Sequence, residues 1–324
     1  KFSGVFALVM CCFLLQSVGL VGAQEAAYPT RPVTVLIPYG AGGTTDLSSR
    51  ALIAAASKYL GERMIPLNKP GGGGTVAATA VMNAEPDGYT LGICVTSNAF
   101  AAPFAPNAPY KNLDGFVPLV NAARYVYPLI VTSDARWKTF AEFIDWARRN
   151  PGGAKLGISG SQKVTSTGLI LRQLEEVAKV KFTYVSFKSS AKILAATLGK
   201  HIHVYASTFD ATVRSYIKQG KLQVLCFADV KPIGFEAYPA LSHLYGIVVP
   251  NTHGVWGPKA LPTPIVKKLE KVFAQAVKDP DHVKVLEGFR MPIVYMNSEE
   301  MREYFDKTLQ ETEKIMKRLE AGGY

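Results

Sequence analysis

Residues 36–52 read LIPYGAGGTTDLSSRAL: the end of an apolar strand, a loop of three glycines and two threonines, and a helical run from about Asp46. A loop stripped of side chains just before a helix exposes backbone N–H groups at the positive end of the helix dipole, and that combination holds anions. A phosphate-binding P-loop needs Gly-Lys-Ser/Thr at its end, and no lysine stands here. A dinucleotide fingerprint needs glycine where Thr45 stands. Two readings remain. Either a carboxylate-like anion is held by the N–H groups of Ala41 to Thr45 and the two hydroxyls, or the loop is only a tight strand-to-helix turn.

A second glycine loop, NKPGGGG (Asn68–Gly74), follows the next apolar run, MIPLN. In a parallel sheet the loops after successive strands gather at one carboxyl edge, where such folds bind ligands. Two glycine-rich loops on one edge favour the ligand reading. TLGICVTS (Thr90–Ser97) is a third strand, and strand–helix–strand–helix–strand implies parallel pairing with helices on both faces. A second unit starts after Tyr125: YPLIVT, KLGIS, KFTYVSF, HIHVYAS and LQVLCFA read as strands, with TFAEFIDWARRN, Thr165–Ala178 and SAKILAATLGK as helices. The tail returns to the first texture, with GVWGP and PIVYM as strands and helices over Pro264–Lys278 and Glu299–Glu320. No internal repeat is visible. The expectation is an α/β chain of two lobes around a hinged cleft: 24–125 with 246–324 as lobe 1, and 126–245 as lobe 2.

The 324 residues carry 48% hydrophobic and 19% charged content, enough for two cores. Phe2–Ala23 has no charge, follows Lys1 and closes on Val21-Gly22-Ala23, the pattern of a secretory signal peptide over residues 1–23. Removal of that segment leaves Cys94 and Cys226, both in apolar strand contexts, as buried thiols rather than a disulfide framework or zinc site. The formal charge of +11 favours anionic ligands. Scattered lysines and the lack of any nucleic-acid motif exclude nucleic acid as the partner.

Other candidates carry less. GISGS (Gly157–Ser161) superficially resembles a nucleophile elbow but has serine where the last glycine belongs, and none of the five histidines sits in a partner context. Ser159, Ser161, Thr165 and Ser166 fit hydrogen-bond donors or helix caps. His201-Ile202-His203 would set two imidazoles on one face of a strand, yet two ligands without a third make no metal site. Lys188, after a second-lobe strand, could complement an anion.

In combination, YPTRPVTVLIPYGAGGTTD, NKPGGGG, AEPDGYTLG, VKFTYVSFKSS, GKLQVLCFAD and GVWGPKALPTPIVKKL stand in the order and spacing of one family. The chain resembles the Bug-type (TctC-like) solute-binding receptors of tripartite tricarboxylate transporters over nearly its whole length after residue 23. The resemblance implies a Venus-flytrap, periplasmic-binding-protein fold, each lobe a mostly parallel sheet flanked by helices. It also implies a monomer of periplasmic location, exported through a cleaved signal, that captures a small carboxylated solute for the transporter's membrane subunits. No cofactor, metal or catalysis is implied.

Carried over by position, Tyr39 is the aromatic wall, Gly42, Gly43, Thr44 and Thr45 with Ala41 form the anion cradle, and Asp46 is a helix cap or a contact to a ligand donor. Thr96, Ser97 and Asn98 follow the third strand, and Ser159, Gly160, Ser161 and Thr165 face them, with Ser207 and Thr208 beside. The chain departs from the family pattern at Ala41, in the stretch Ser186-Phe187-Lys188-Ser189 where the family has Pro-Tyr-Lys-Gly, and at Gly168, His203 and Thr252. These departures put the second-lobe wall, and with it the usual ligand, in question. The alternatives are an exported hydrolase acting on a carboxylated or acylated substrate through a second-lobe serine, and the ligand-sensing domain of a signalling system.

Overall fold

The computed structural model describes residues 28–104, 107–163, 165–229, 231–232 and 234–324, so the segment read as a signal peptide lies outside the described residues. The first unit opens as strand β1 (Val33–Ile37), helix α1 (Thr44–Leu60), β2 (Met64–Asn68), α2 (Thr75–Met82) and β3 (Thr90–Val95). After β3 the chain makes a single π-helical turn at Ser97–Ala101 and reaches β4 (Phe116–Ala123). It then enters the second unit: β5 (Pro128–Thr132), α3 (Phe140–Arg149), β6 (Ala154–Ser159), α4 (Ser166–Ala178), β7 (Phe182–Phe187), α5 (Ser190–Leu198), β8 (Val204–Ala206), α6 (Ala211–Lys218) and β9 (Leu222–Phe227). A short α7 (Leu241–Tyr245) precedes the return through β10 (His253–Pro258), α8 (Thr263–Val277), α9 (Pro280–Phe289), β11 (Ile293–Met296) and α10 (Ser298–Ala321).

Two sheets result, ordered β11-β4-β10-β3-β1-β2 and β7-β6-β8-β5-β9. They are mixed rather than mostly parallel. β1 pairs in parallel with β2 and β3, and β6 with β7 and β8, as right-handed βαβ units require. Pairings that involve β4, β10, β11, β5 and β9 are antiparallel. The reason is connectivity: β4, β5, β9 and β10 flank the two passages between sheets, and a strand reached by crossing over is free of the βαβ constraint.

The inner parallel strands are buried, with Val33, Val35, Ile37 and Leu91 fully so, while edge strands β2 and β7 expose alternate residues such as Ile65 and Leu67. α1 packs on α8 and α9 on one side. On the other, Phe116 stacks on Trp256 at 4.0 Å, under Phe100 and Phe305. In the second unit Phe143 stacks on Phe182 at 5.8 Å. β4, α6 and α9 escape the apolar-run reading; β4 is broken by Pro118 and Asn121, and α9 starts on Pro280 capped by Asp279.

The passages at 124–127 and 246–252 are tied to one another. Asn251 accepts from the Tyr125 N–H at 2.8 Å and donates to the Tyr125 carbonyl at 2.7 Å, so one amide satisfies both backbone groups of the facing strand. α10 adds a further bridge. It begins in a capping box (Asn297 with Glu300), buries Met301 and Phe305 against the first unit, and ends with Ile315, Met316 and Leu319 against Leu169 of α4. No helix among the described residues is long and apolar enough to cross a membrane.

Central strand β10 has no room to spare. A Cβ added at Gly254 would lie 2.2 Å from the Val120 carbonyl oxygen, a backbone atom that cannot swing away. Gly254→Ala is therefore expected to cost about 3 kcal/mol, read as a lower urea midpoint with unchanged slope; an unaltered midpoint would show that β10 and β4 can separate locally.

Candidate functional site

The carboxyl ends of β1 and β3 in one unit face those of β6, β7 and β8 in the other, and they enclose a cavity of about 40 Å³. From the first unit come Tyr39, Gly40, Gly43, Thr44, Thr45, Val95 and Ser97; from the second, Ser159, Thr165, Ser166, Thr167, Ser189, Ser190, Ser207 and Thr208. Tyr125 and Tyr127, from the passage between units, complete the wall. Among the described residues no lysine, arginine or histidine lines it, and no carboxylate.

Three helices start at this cavity. α1 begins at Thr44, α4 at Ser166 and α5 at Ser190. Thr165 caps α4 by accepting from the Gly168 N–H at 3.2 Å. By contrast, the N-caps of α1 (Gly43) and α5 (Ser189) make no side-chain cap bond. Their first-turn N–H groups keep the positive partial charge of the dipole. The two uncapped ends touch: the Thr44 N–H reaches Ser190 Oγ at 3.4 Å, and a Cβ on Gly43 would lie 3.0 Å from that same oxygen. Gly43 sits at φ −88°, open to any residue, so its bareness serves close approach of the units rather than backbone conformation.

The hydroxyls are ordered by donors behind them. Tyr125 donates to Thr45 Oγ1 at 3.1 Å and lies 2.8 Å from His253 Nδ1. With the phenol proton given to Thr45, Nδ1–H must be the donor to the Tyr125 oxygen, and Thr45 keeps its own proton for the cavity. Burial lowers the His253 pKa from 6.5 to about 3, so the ring is neutral, and its Nε2 has no partner. Burial likewise pushes the Tyr39 phenol up to about 12 and those of Tyr125 and Tyr127 well above their ordinary value, which leaves all three as neutral donors. Tyr39 is anchored to Ser97 Oγ at 2.7 Å. The Tyr127 pKa is raised by burial, an effect that Ser166 and Thr96, one from each unit, partly offset.

Thr44 Oγ1 is spent between units: it accepts from Thr208 at 2.8 Å and makes a long 3.4 Å contact to Asp210 Oδ2. Asp210 caps α6 through the Val213 N–H at 2.8 Å, and burial raises its pKa.

Of the residues singled out by sequence, Tyr39, Gly43, Thr44, Thr45, Ser97, Ser159, Thr165, Ser166, Ser207 and Thr208 meet at this cavity. The others stand outside its lining. Ala41 and Gly42 are exposed in the turn. Asp46 points back into its own unit, accepting from Gly42 N at 3.0 Å, Arg50 Nε at 2.8 Å and Asn68 Nδ2 at 2.7 Å, so it braces the loop. Thr96 accepts from Thr252 N, and Asn98 holds the end of β3 through Val95 N and Ile93 O. Gly160 lines a neighbouring chamber instead, and Ser161 is exposed and lines neither. Residues the sequence did not offer are Gly40, Val95, Tyr125, Tyr127, Thr167, Ser189 and Ser190; the two tyrosines sit in an apolar run that reads as strand. His201 and His203 lie in a bend before β8 rather than on one strand face, and His203 Nδ1 accepts from Lys155 N at 3.0 Å. Cys94 and Cys226 are buried free thiols.

The family described as tripartite tricarboxylate transporter family receptor matches residues 49–321. A Cupriavidus necator protein described as "UPF0065 protein in gbd 5'region" is 32% identical over 299 residues, 92% of this chain and 90% of the relative. A solved structure described as "Structure of a periplasmic transporter" superposes with a TM-score of 0.82 at 26% identity, over 90% of this chain and 98% of its own. The periplasmic binding protein BugD superposes with a TM-score of 0.81 at 24% identity, over 90% and 98%, a likeness of fold. The architecture is that of the two-lobe periplasmic binding proteins.

His253 gives the site a pH signature. Its native pKa lies below the unfolded value, so the stability it contributes is complete above pH 6.5 and is lost as pH falls toward 3. That loss is on the order of 4 kcal/mol. The raised pKa values of Asp210 and Glu175 act in the opposite direction. Comparison with His253→Gln isolates the histidine: the variant's unfolding temperature should fall less steeply from pH 6.5 to 4 than that of the unaltered protein, and parallel slopes would exonerate His253.

Proposed function

The chain belongs to the tripartite tricarboxylate transporter receptor family, and from that premise we propose that it captures a small carboxylated solute between its lobes and hands it to a membrane transporter. It is a solute-binding receptor, and its family and structural neighbours are binding proteins rather than enzymes. Lobe 1 is taken as 24–125 with 246–324 and lobe 2 as 126–245. Receptors of this family are periplasmic; export of this chain through residues 1–23 and action as a monomer complete the reading.

The observation that carries the carboxylate is the cavity itself: hydroxyl-lined, entered by two uncapped helix N-termini and free of charged side chains. An anion there meets donors only from dipoles, and N–H and O–H bonds to an ionised acceptor are worth roughly twice their neutral counterparts. Thr45, with its proton directed at the cavity by the His253–Tyr125 relay, can only donate to a carboxylate. Tyr39, Gly43, Ser97, Ser159, Thr165, Ser166 and Ser190 close around it from both lobes. Binding proceeds without bond chemistry. The lining offers Ser159 and Ser166 no histidine to act as base, which disfavours the hydrolase alternative.

A thermal-shift panel of carboxylates and their neutral amides tests this. An acid present at a hundred times its Kd should raise the unfolding temperature by roughly 5 °C, and the matching amide should not. Amides that shift as strongly as acids would overturn the anion reading. With a hit in hand, Thr45→Val should weaken binding about ten-fold. Gly43→Ala should keep the ligand-free unfolding temperature and still weaken binding, because the added methyl meets Ser190 as the lobes close. Full affinity in Gly43→Ala would show that the Gly43–Ser190 approach is not part of the bound state.

A further inference from the structure

The inner cavity is small. At about 40 Å³ it has room for roughly three waters, enough for a carboxylate and little more. Beside it lies a second interlobe chamber of about 390 Å³, and Tyr39 is the one residue that lines both. Lobe 1 contributes Pro70 and Gly71–Gly73 to this outer chamber; lobe 2 contributes Gly160, Ser186, Phe187 and Lys188.

The chamber has the features of a built wall. Gly71, Gly72 and Gly73 all have positive φ (140°, 56° and 67°), so the loop presents bare backbone, and a Cβ on Gly72 would strike Thr75 Oγ1 at 2.1 Å. Gly160, also at positive φ (83°), approaches Gly73 across the cleft: a Cβ there would lie 3.5 Å from Gly73 Cα. Glycine against glycine keeps the seam between lobes flat. Tyr39, Pro70 and Phe187 are the ring-bearing residues of its lining. Lys188 is the one charged residue of the lining, and its ammonium enters no ion pair among the described residues.

We propose that the outer chamber receives the body of the solute whose carboxylate occupies the inner cavity, and that the solute is a carboxylate on a flat apolar body with an anionic or acceptor group at its far end, met by Lys188. The inference rests on the carboxylate reading above and adds shape and a second polar end to it. Tyr39 forms the neck. Its hydroxyl is fixed to Ser97 at 2.7 Å, so its ring is a stationary surface for the body to pass.

Isothermal titration with butanoate, benzoate and benzene-1,4-dicarboxylate, on the unaltered protein and on Lys188→Gln and Lys188→Glu, separates the possibilities. Lys188 is exposed, so neither variant disturbs the core. In the unaltered protein benzoate should bind about ten-fold tighter than butanoate through its buried ring, and the dicarboxylate about five-fold tighter again through Lys188. Lys188→Gln should abolish only the second gain, and Lys188→Glu should place the dicarboxylate below benzoate. Benzoate no tighter than butanoate, or variants that shift all three acids alike, would overturn the outer chamber while leaving the carboxylate reading intact. No heat with any of the three acids, at concentrations where a wider acid panel is equally silent, would overturn both.

Discussion

An anion sequestered from water must be compensated, and the cavity between the two sheets offers dipoles for that task, with no countercharge among its described lining residues. Everything about the architecture follows from that constraint. Helix N-termini are neutral groups that concentrate several donors on one point, and in α/β sheets they occur at the carboxyl edges of strands. Two sheets with carboxyl edges face to face therefore bring α1, α4 and α5 to one cavity. A single sheet supplies donors to only one side of a solute. The overall charge of +11 acts at a different level: it favours anions near the protein, while the described lining of the cavity contains no cation.

The link between hinge and cavity is covalently short. Tyr125 is bonded through its backbone to Asn251 on the opposite passage and through its phenol to Thr45 in the cradle. His253, two residues beyond Asn251, completes the relay by donating to the same phenol. Rotation about the passages thus cannot proceed without consequence for the hydroxyl that faces the ligand. α10 spans both lobes with apolar contacts at each end, which restricts the motion to one that keeps Leu169 near Met316 and Leu319.

Much of this was legible in the chain before any fold was known, and the part that was not has a common cause. The glycine loops stood out because glycine is a statement about backbone, and the strand–helix alternation placed them on one edge. Asp46 reads in sequence as a cap or ligand contact because it is a first-turn acid, while in the fold Arg50 one turn on and Asn68 on β2 capture it. Ser189 and Ser190 carry no local mark that separates them from any other helix start; only the approach of Gly43 gives them a function. Tyr125 and Tyr127 look like strand residues since their position between sheets is set by pairings over a hundred residues away. His201 and His203 failed as a pair because β8 begins only at Val204. Sequence shows which groups can donate, but which of them converge is a property of the cleft.

A cage of dipoles drawn from two bodies also explains how such a receptor lets go. A charged partner buried in one lobe would hold the anion whether or not the cleft was shut, and its own desolvation would have to be offset in the empty state. Here the empty state has no buried charge in the lining, and closure is helped by neutral contacts such as Thr208 to Thr44. Hydrogen bonds to a charged group are worth about 1.5–3 kcal/mol each. Withdrawing two lobe-2 donors on opening thus weakens the hold by roughly 3–6 kcal/mol, or about two to four orders of magnitude in affinity. A partner that pries the lobes apart need supply only that much to turn capture into release, and the anion leaves behind no unpaired charge to draw it back.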